Sequence, residues 1–415
     1  MTYHDLRSMA HRQCAAAGVV LGVGLLTTAC TPSTPAGSSP TPSSSPTGVA
    51  YSLGHFPAVP AGPLPASTNA ALQAVLDGAV QDLLPGVTAT VLVAGQGAWS
   101  GAAGTADGVH QVKVSSQFGI ASITKTVIAA EIMRLSEQGL LRLSDPVSAH
   151  LPPNFHFDTN GATIENLLSM ESGIPDPTLQ LNQGGAGLRH EWTPQEVLAS
   201  VPTYRSTPGD SFVYGDANYM LLDLVIAKTT GTSVAAALRS HILADPRLSS
   251  LVYQPEERPQ GPLALPFLAG QVRPNIIEAG GGYLPSEEEA SAGNGSGCMA
   301  SDSGALALWT YLLFGRHLLS EPSLLAMTDF AKNDPHDHYG LGVFDVNPDL
   351  MAATGGTSFG VQAIGNGGWE DGGYSTTTVV LPSKGVVISV LTNTAGDPRS
   401  LVLPLAQKLF STLHT

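Results

Sequence analysis

The chain reads as an α+β protein: an antiparallel β-sheet flanked by N- and C-terminal helices, with an all-helical subdomain inserted between two groups of strands. Three observations predict this. A helix and a β-branched hairpin open the folded part, amphipathic helices fill the middle, and a second hairpin with a closing helix ends it. The first and last segments can then share one sheet.

Each element has its own signal. Thr68 or Asn69 is placed to cap a helix with apolar positions at Leu72, Val75, Leu76, Val80 and Leu83, and Pro85-Gly86 stops it. Residues 87–94 are rich in β-branched side chains, Gly95-Gln96-Gly97 is a turn, and 98–103 is the return strand. Residues 123–138 carry apolar side chains at 128, 132 and 135 before Gly139. A second helix covers 218–230 up to Gly231, and a third covers 305–314. Pro382-Ser383-Lys384-Gly385 folds 374–381 back onto 386–391, and Leu401, Leu405 and Leu409 line the closing helix. The hydrolytic domain is expected over 67–415, its α/β part at about 67–120 and 340–415 and its helical part at about 121–339.

Composition narrows the function classes. Of 415 residues, 43% are hydrophobic, enough to build a core, and 12% are charged. A net charge of -15 repels phosphate backbones, which excludes nucleic acid as a partner.

The N-terminal residues read as an export signal. Arg7, His11 and Arg12 precede an apolar run over 15–26, too short to span a bilayer and suited to a signal peptide over 1–30. Leu26-Thr27-Thr28-Ala29-Cys30 resembles a bacterial lipobox, although Thr27 stands where an aliphatic residue is usual. Acylation of Cys30 would anchor the protein to the outer face of the cell membrane. Residues 31–66, rich in Ser, Thr, Pro and Gly, then form a tether. Cys298 is left without a partner and reads as a structural thiol.

Three short segments carry candidate chemistry. Ser122-Ile123-Thr124-Lys125 sets a hydroxyl and an amine one helical turn apart, so a neutral Lys125 can take the Ser122 proton. Burial and a neighbouring cation would have to lower the lysine pKa by several units. Tyr214-Gly215-Asp216 follows the Pro208-Gly209 turn, and its phenol can relay protons while Asp216 orients Lys125. Asn366-Gly367-Gly368-Trp369 precedes the last hairpin, and its small residues allow close backbone approach. The Trp369 and Ser122 amides are candidate oxyanion donors.

In order and spacing these elements resemble the serine β-lactamase-related hydrolases, a family of class C β-lactamases, DD-peptidases and related esterases. The flanks resemble it too: Phe118-Gly119-Ile120-Ala121, the segment from Asn166 to Pro175, Thr207-Pro208-Gly209 and Leu391-Thr392-Asn393. The resemblance implies Ser122 as nucleophile, Lys125 as general base, Tyr214 as acid and base, and no metal or other cofactor. Two positions depart from it. Asp216 replaces the commoner Asn, and its negative charge would raise the Lys125 pKa rather than lower it. Asn366 replaces a His or Lys that can hold a substrate carboxylate, a loss worth about 10-fold in recognition. The expected activity is therefore that of an esterase or D-amino-acid peptidase on a small-molecule or peptide ester or amide of low acidity, in preference to efficient β-lactam hydrolysis.

Competing readings are weaker. Gly356-Thr357-Ser358-Phe359-Gly360 matches a nucleophile elbow, but no helix can begin before Gly365. His336-Asp337-His338 lacks a third metal ligand at helical spacing. A slow or non-hydrolytic binder of cell-wall peptides remains the alternative of a different class.

Overall fold

The computed structural model describes residues 53–413, apart from 83, 182–184, 269–270, 273–276, 278–279 and 331–337. The expected signal peptide, Cys30, most of the tether, Leu83, His336 and Asp337 therefore lie outside the described residues.

The strands, in chain order, are β1 (Gly86–Val93), β2 (Gly97–Gly104), β3 (Phe118–Gly119), β4 (Val252–Tyr253), β5 (Phe267–Leu268), β6 (Gln271–Val272), β7 (Met299–Ser301), β8 (Phe344–Asp345), β9 (Ile364–Glu370), β10 (Tyr374–Leu381) and β11 (Val386–Thr392). Six of them form one antiparallel sheet in the order β2-β1-β11-β10-β9-β8. The first and last segments thus meet at the β1–β11 pair, where Ala89 faces Val390.

Both faces of this sheet are covered, and the residues alternate accordingly. Val87, Ala89, Val91 and Val93 join Val379, Leu381, Ile388 and Val390 on the face packed by the helices Ala66–Asp82 and Leu403–Ser411. Leu92, Val380, Val387 and Leu391 point to the other face, toward the helix Ser303–Phe314. Leu72 and Leu76 are fully buried, each stabilising the fold by about 1.5–3 kcal/mol. Several buried hydroxyls pair with one another: Thr90 with Ser303 at 3.0 Å, Thr378 with Ser389 at 2.8 Å and Thr310 with Thr378 at 2.7 Å.

Most element bounds agree with the sequence reading to within two residues. The first helix differs in its start, at Ala66. Pro65 supplies the carbonyl that accepts from Asn69 N at 2.9 Å, so neither Thr68 nor Asn69 caps it. Residues 355–360 run as a loop with no following helix, and Ser358 Oγ accepts from Gly360 N at 3.2 Å. The nucleophile-elbow geometry is absent there.

Two features prepare the site. β3 pairs with β7, and Ile120 N continues that pairing to Met299 O at 2.9 Å, which anchors the chain just before Ser122. β8 covers β9 at Ile364 and Gly365, and among the described residues 366–370 have no strand neighbour on that edge.

Candidate active site

Ser122 sits in a 3-10 turn, Ala121–Ile123, that runs into the helix Thr124–Glu137. Its neighbours from Phe118 to Ile132 are buried and Ser122 alone is half-exposed, so the hydroxyl is the accessible group of the segment. Lys125, in the first turn of the helix, is fully buried, and its Nζ donates to Ser122 Oγ at 3.0 Å. It also donates to Asp216 Oδ1 at 2.8 Å and to the Ser296 carbonyl at 2.7 Å.

The structure brings Tyr214 and Asp216 to the same place from the far end of the helical part. The helix Asp216–Thr230 begins beyond Gly215, which offers no capping side chain. Asp176 caps it from another loop: Asp216 N donates to Asp176 Oδ1 at 2.6 Å. Tyr214 lies against Tyr339 and Phe344, at 6.2 and 6.4 Å between ring centres, and its own ring centre is 4.9 Å from Lys125 Nζ.

The electrostatics depart from the sequence expectation of a lysine lowered by a nearby cation. Burial disfavours the Lys125 charge, yet the Asp216 carboxylate and then Tyr214 outweigh it, and the amine is held above its ordinary range. The resting residue is an ammonium ion paired with Asp216, and Ser122 Oγ accepts from it. Neutral Lys125 can arise only if a proton moves to a neighbour.

Gly368 brings β9 against this turn. A Cβ there would stand 2.0 Å from the Ile120 carbonyl oxygen, so only glycine allows the approach. Trp369, half-buried, is the next residue and lies opposite Ser375 in the β9–β10 ladder. Asn366 is on the same strand but turned inward. It is 1% exposed and donates from Nδ2 to the Gly342 carbonyl at 3.1 Å. Cys298 is buried, and burial and then Asp223 push its thiol well up, which leaves it protonated.

Over residues 71–409 the chain matches the Beta-lactamase family. The chain belongs to that family. Its members share a β-lactamase-like fold and serine hydrolase chemistry, and the sheet and helices described above are that fold. This Beta-lactamase family chain is 30% identical over 167 residues to Protein flp of Staphylococcus aureus strain MW2, covering 39% of this chain and 33% of that protein. It is 33% identical over 145 residues to the putative penicillin-binding protein PbpX of Bacillus subtilis strain 168, covering 34% of each. The chain thus spans about a third of the length of the curated relatives it matches. Among solved structures it is similar to a D-stereospecific amidohydrolase from Streptomyces sp., at 27% identity and TM-score 0.65, over 80% of this chain and 97% of that one. The fold is also that of a D-amino acid amidase from Ochrobactrum anthropi SV3, at 21% identity and TM-score 0.69, over 84% and 99%.

Sequence reasoning missed Asp176 and Ser296. Asp176 follows the Gly173-Ile174-Pro175 segment directly and was within reach of a search for carboxylates beside motifs. Ser296 contributes a backbone carbonyl, for which no side-chain pattern exists.

Proposed function

We propose that this chain is a serine hydrolase that works through an acyl-enzyme on Ser122, anchored by Cys30 at the outer face of the cell membrane. The observation that carries the reading is the contiguous chain Ser122 Oγ, Lys125 Nζ, Asp216 Oδ1, at 3.0 and 2.8 Å. As Ser122 Oγ attacks a carbonyl carbon, its proton passes to Lys125 Nζ, which hands one of its own to Asp216. The oxyanion takes hydrogen bonds from the Ser122 and Trp369 amides. Tyr214 then donates its phenol proton to the leaving group as the scissile bond breaks, freeing an alcohol or amine and leaving acyl-Ser122, and is reprotonated from Lys125, which recovers its proton from Asp216. Water deacylates it along the same path.

Charge supports a substrate class. Asn366 is buried and uncharged where relatives of this type carry a cation for a substrate carboxylate, while Asp216 pairs with the lysine at the nucleophile and Asp176 sits on the Asp216 amide. A substrate whose acyl part is neutral or bears an amine fits that field better than an anionic β-lactam. The amidohydrolase and amidase neighbours are consistent with amides of D-amino acids as one such class.

A panel of short-chain nitrophenyl esters, D-amino acid amides, D-Ala-D-Ala peptides and a chromogenic β-lactam tests this. Esters and amides should rank first, and Ser122→Ala should abolish all turnover. The raised Lys125 favours one second reading, a cell-wall peptide binder that acylates very slowly. Binding without turnover across the whole panel would select it.

A further inference from the structure

Glu370, the last residue of β9, carries a carboxyl that the chemistry above leaves unused. Its Oε2 is shut off from solvent and has no hydrogen-bond partner among the described residues. The same oxygen presses on the strand leading to the nucleophile, since a Cβ at Gly119 would stand 2.3 Å from it. The backbone N–H of Ala121 faces this carboxyl and is the one neighbour that favours its charged form. Ala121 immediately precedes Ser122 and has φ 45°, left-handed backbone that a residue with a Cβ rarely adopts. Relaxing that angle would swing both Ser122 Oγ and the Ser122 amide away from Lys125 and the oxyanion position.

We infer that Glu370 is a positioning residue for the nucleophile: by accepting the Ala121 N–H it holds the left-handed turn that aims Ser122 Oγ at the lysine and its amide at the oxyanion. The inference rests on the reading of Ser122 as nucleophile.

The surroundings explain why a carboxyl can serve there. Burial, then the neighbouring Glu289 and Asp371, push Glu370 well above the ordinary carboxylate range, so it stands as a neutral acid. The titratable groups facing it are Glu289 from the helix Glu287–Gly293, Asp371 from the turn after β9 and Tyr374 from β10. None of these is a cation. Neutrality matters because a carboxylate this close would oppose the charge that develops on the substrate oxygen.

Labelling of Ser122 by a fluorophosphonate tests the inference on the full chain, read as a saturating rate and a half-saturating concentration from neutral to strongly alkaline pH. Ser122→Ala should not label. Glu370→Leu should label roughly 10- to 100-fold more slowly at saturation, with the half-saturating concentration unchanged. Adding Ala121→Gly should restore most of that rate, because glycine holds a positive φ without a brace. Glu370→Gln keeps the acceptor and should label like the wild type near neutrality, without the alkaline fall the wild type shows as its acid ionises.

Wild-type labelling by Glu370→Leu, or a loss that Ala121→Gly leaves untouched, overturns the inference. If Glu370→Leu does not fold, the Glu370→Gln profile decides, and one identical to the wild type overturns it. Labelling that survives Ser122→Ala removes the reading of the nucleophile itself, whereas an inert Ser122→Ala beside an unaffected Glu370→Leu removes only this inference.

Discussion

Lys125 Nζ stands 2.8 Å from Asp216 Oδ1 and 3.0 Å from Ser122 Oγ, so the ammonium is shared between the carboxylate and the nucleophile. Relatives with an asparagine at the position of Asp216 have no such anion. Removing the charge by Asp216→Asn should lower the Lys125 pKa by about one to three pH units. The acidic limb of kcat/KM then moves to lower pH by that amount, which a pH–rate profile measures directly. Stability responds with the opposite sense. A lysine raised by folding contributes fully below about 10.5 and loses that contribution as pH climbs through the folded value, so Asp216→Asn should lower the melting temperature at neutral pH.

Asp223 sits in the helix Asp216–Thr230 and holds the next turn of the site. Its carboxylate accepts from Tyr253 Oη and from Gly295 N, and Gly295 precedes the Ser296 carbonyl that takes a Lys125 hydrogen bond. Burial lifts this carboxyl to about 7. A raised carboxyl binds its proton more tightly folded than unfolded, so stability falls as pH rises from about 4 to about 7. Asp223→Asn removes the titration and keeps an acceptor. The difference in unfolding free energy between variant and wild type should therefore grow in the variant's favour across that interval, reaching about a few kcal/mol above pH 7. A flat difference would refute the assignment.

How much of this was legible beforehand depends on what each residue contributes. Ser122, Lys125, Tyr214 and Asp216 announce themselves because their chemistry lies in side chains at fixed short spacings. The two hairpins and their meeting in one sheet follow from β-branched runs and turn residues. The charge state of Lys125 was only half legible: the anion at Asp216 was in the sequence, but the balance between burial and that anion required a distance. The inward turn of Asn366 and the Ser296 carbonyl were hidden for a related reason. One is a matter of rotamer and the other of backbone path, and neither leaves a residue pattern. Glu370 was hidden because the Ala121 amide that it faces is 249 positions away by the numbering of the two residues.

Gly368 joins sheet to nucleophile by having no side chain. Gly368→Ala would put a methyl 2.0 Å from the Ile120 oxygen and 2.5 Å from Thr376 Oγ1, and backbone must move to relieve the first clash. Stability should fall by about 1–3 kcal/mol. Because the displaced turn carries Ser122, kcat should fall by roughly 100-fold. Gly78→Ala is the matched control. It lies in the helix Ala66–Asp82, a Cβ there meets nothing within 4 Å, and the change should stabilise by about 0.5–1 kcal/mol with activity intact. Thermal melts and ester turnover on the two variants separate a close-approach requirement from a general intolerance of alanine.

Asn366 offers the sharpest test of substrate choice. Its side chain is 1% exposed and spends its amide hydrogen on the Gly342 carbonyl, 3.1 Å away, so it supplies no charge to a ligand. Asn366→His introduces a ring that can keep that hydrogen bond through one nitrogen and present the other to the cleft. A charge-assisted contact in place of a neutral one is worth about 1–2 kcal/mol. The ratio of kcat/KM for a carboxylate-bearing β-lactam to that for a neutral ester should therefore rise about 10-fold. The gain should shrink as pH rises past the ordinary histidine range, because only the protonated ring holds the carboxylate. Asn366→Ala separates the two roles: losing the bond to Gly342 should cost about 1 kcal/mol of stability, while the substrate ratio stays where the wild type has it. A ratio that rises equally in both variants would mean that space, not charge, governs entry to this site.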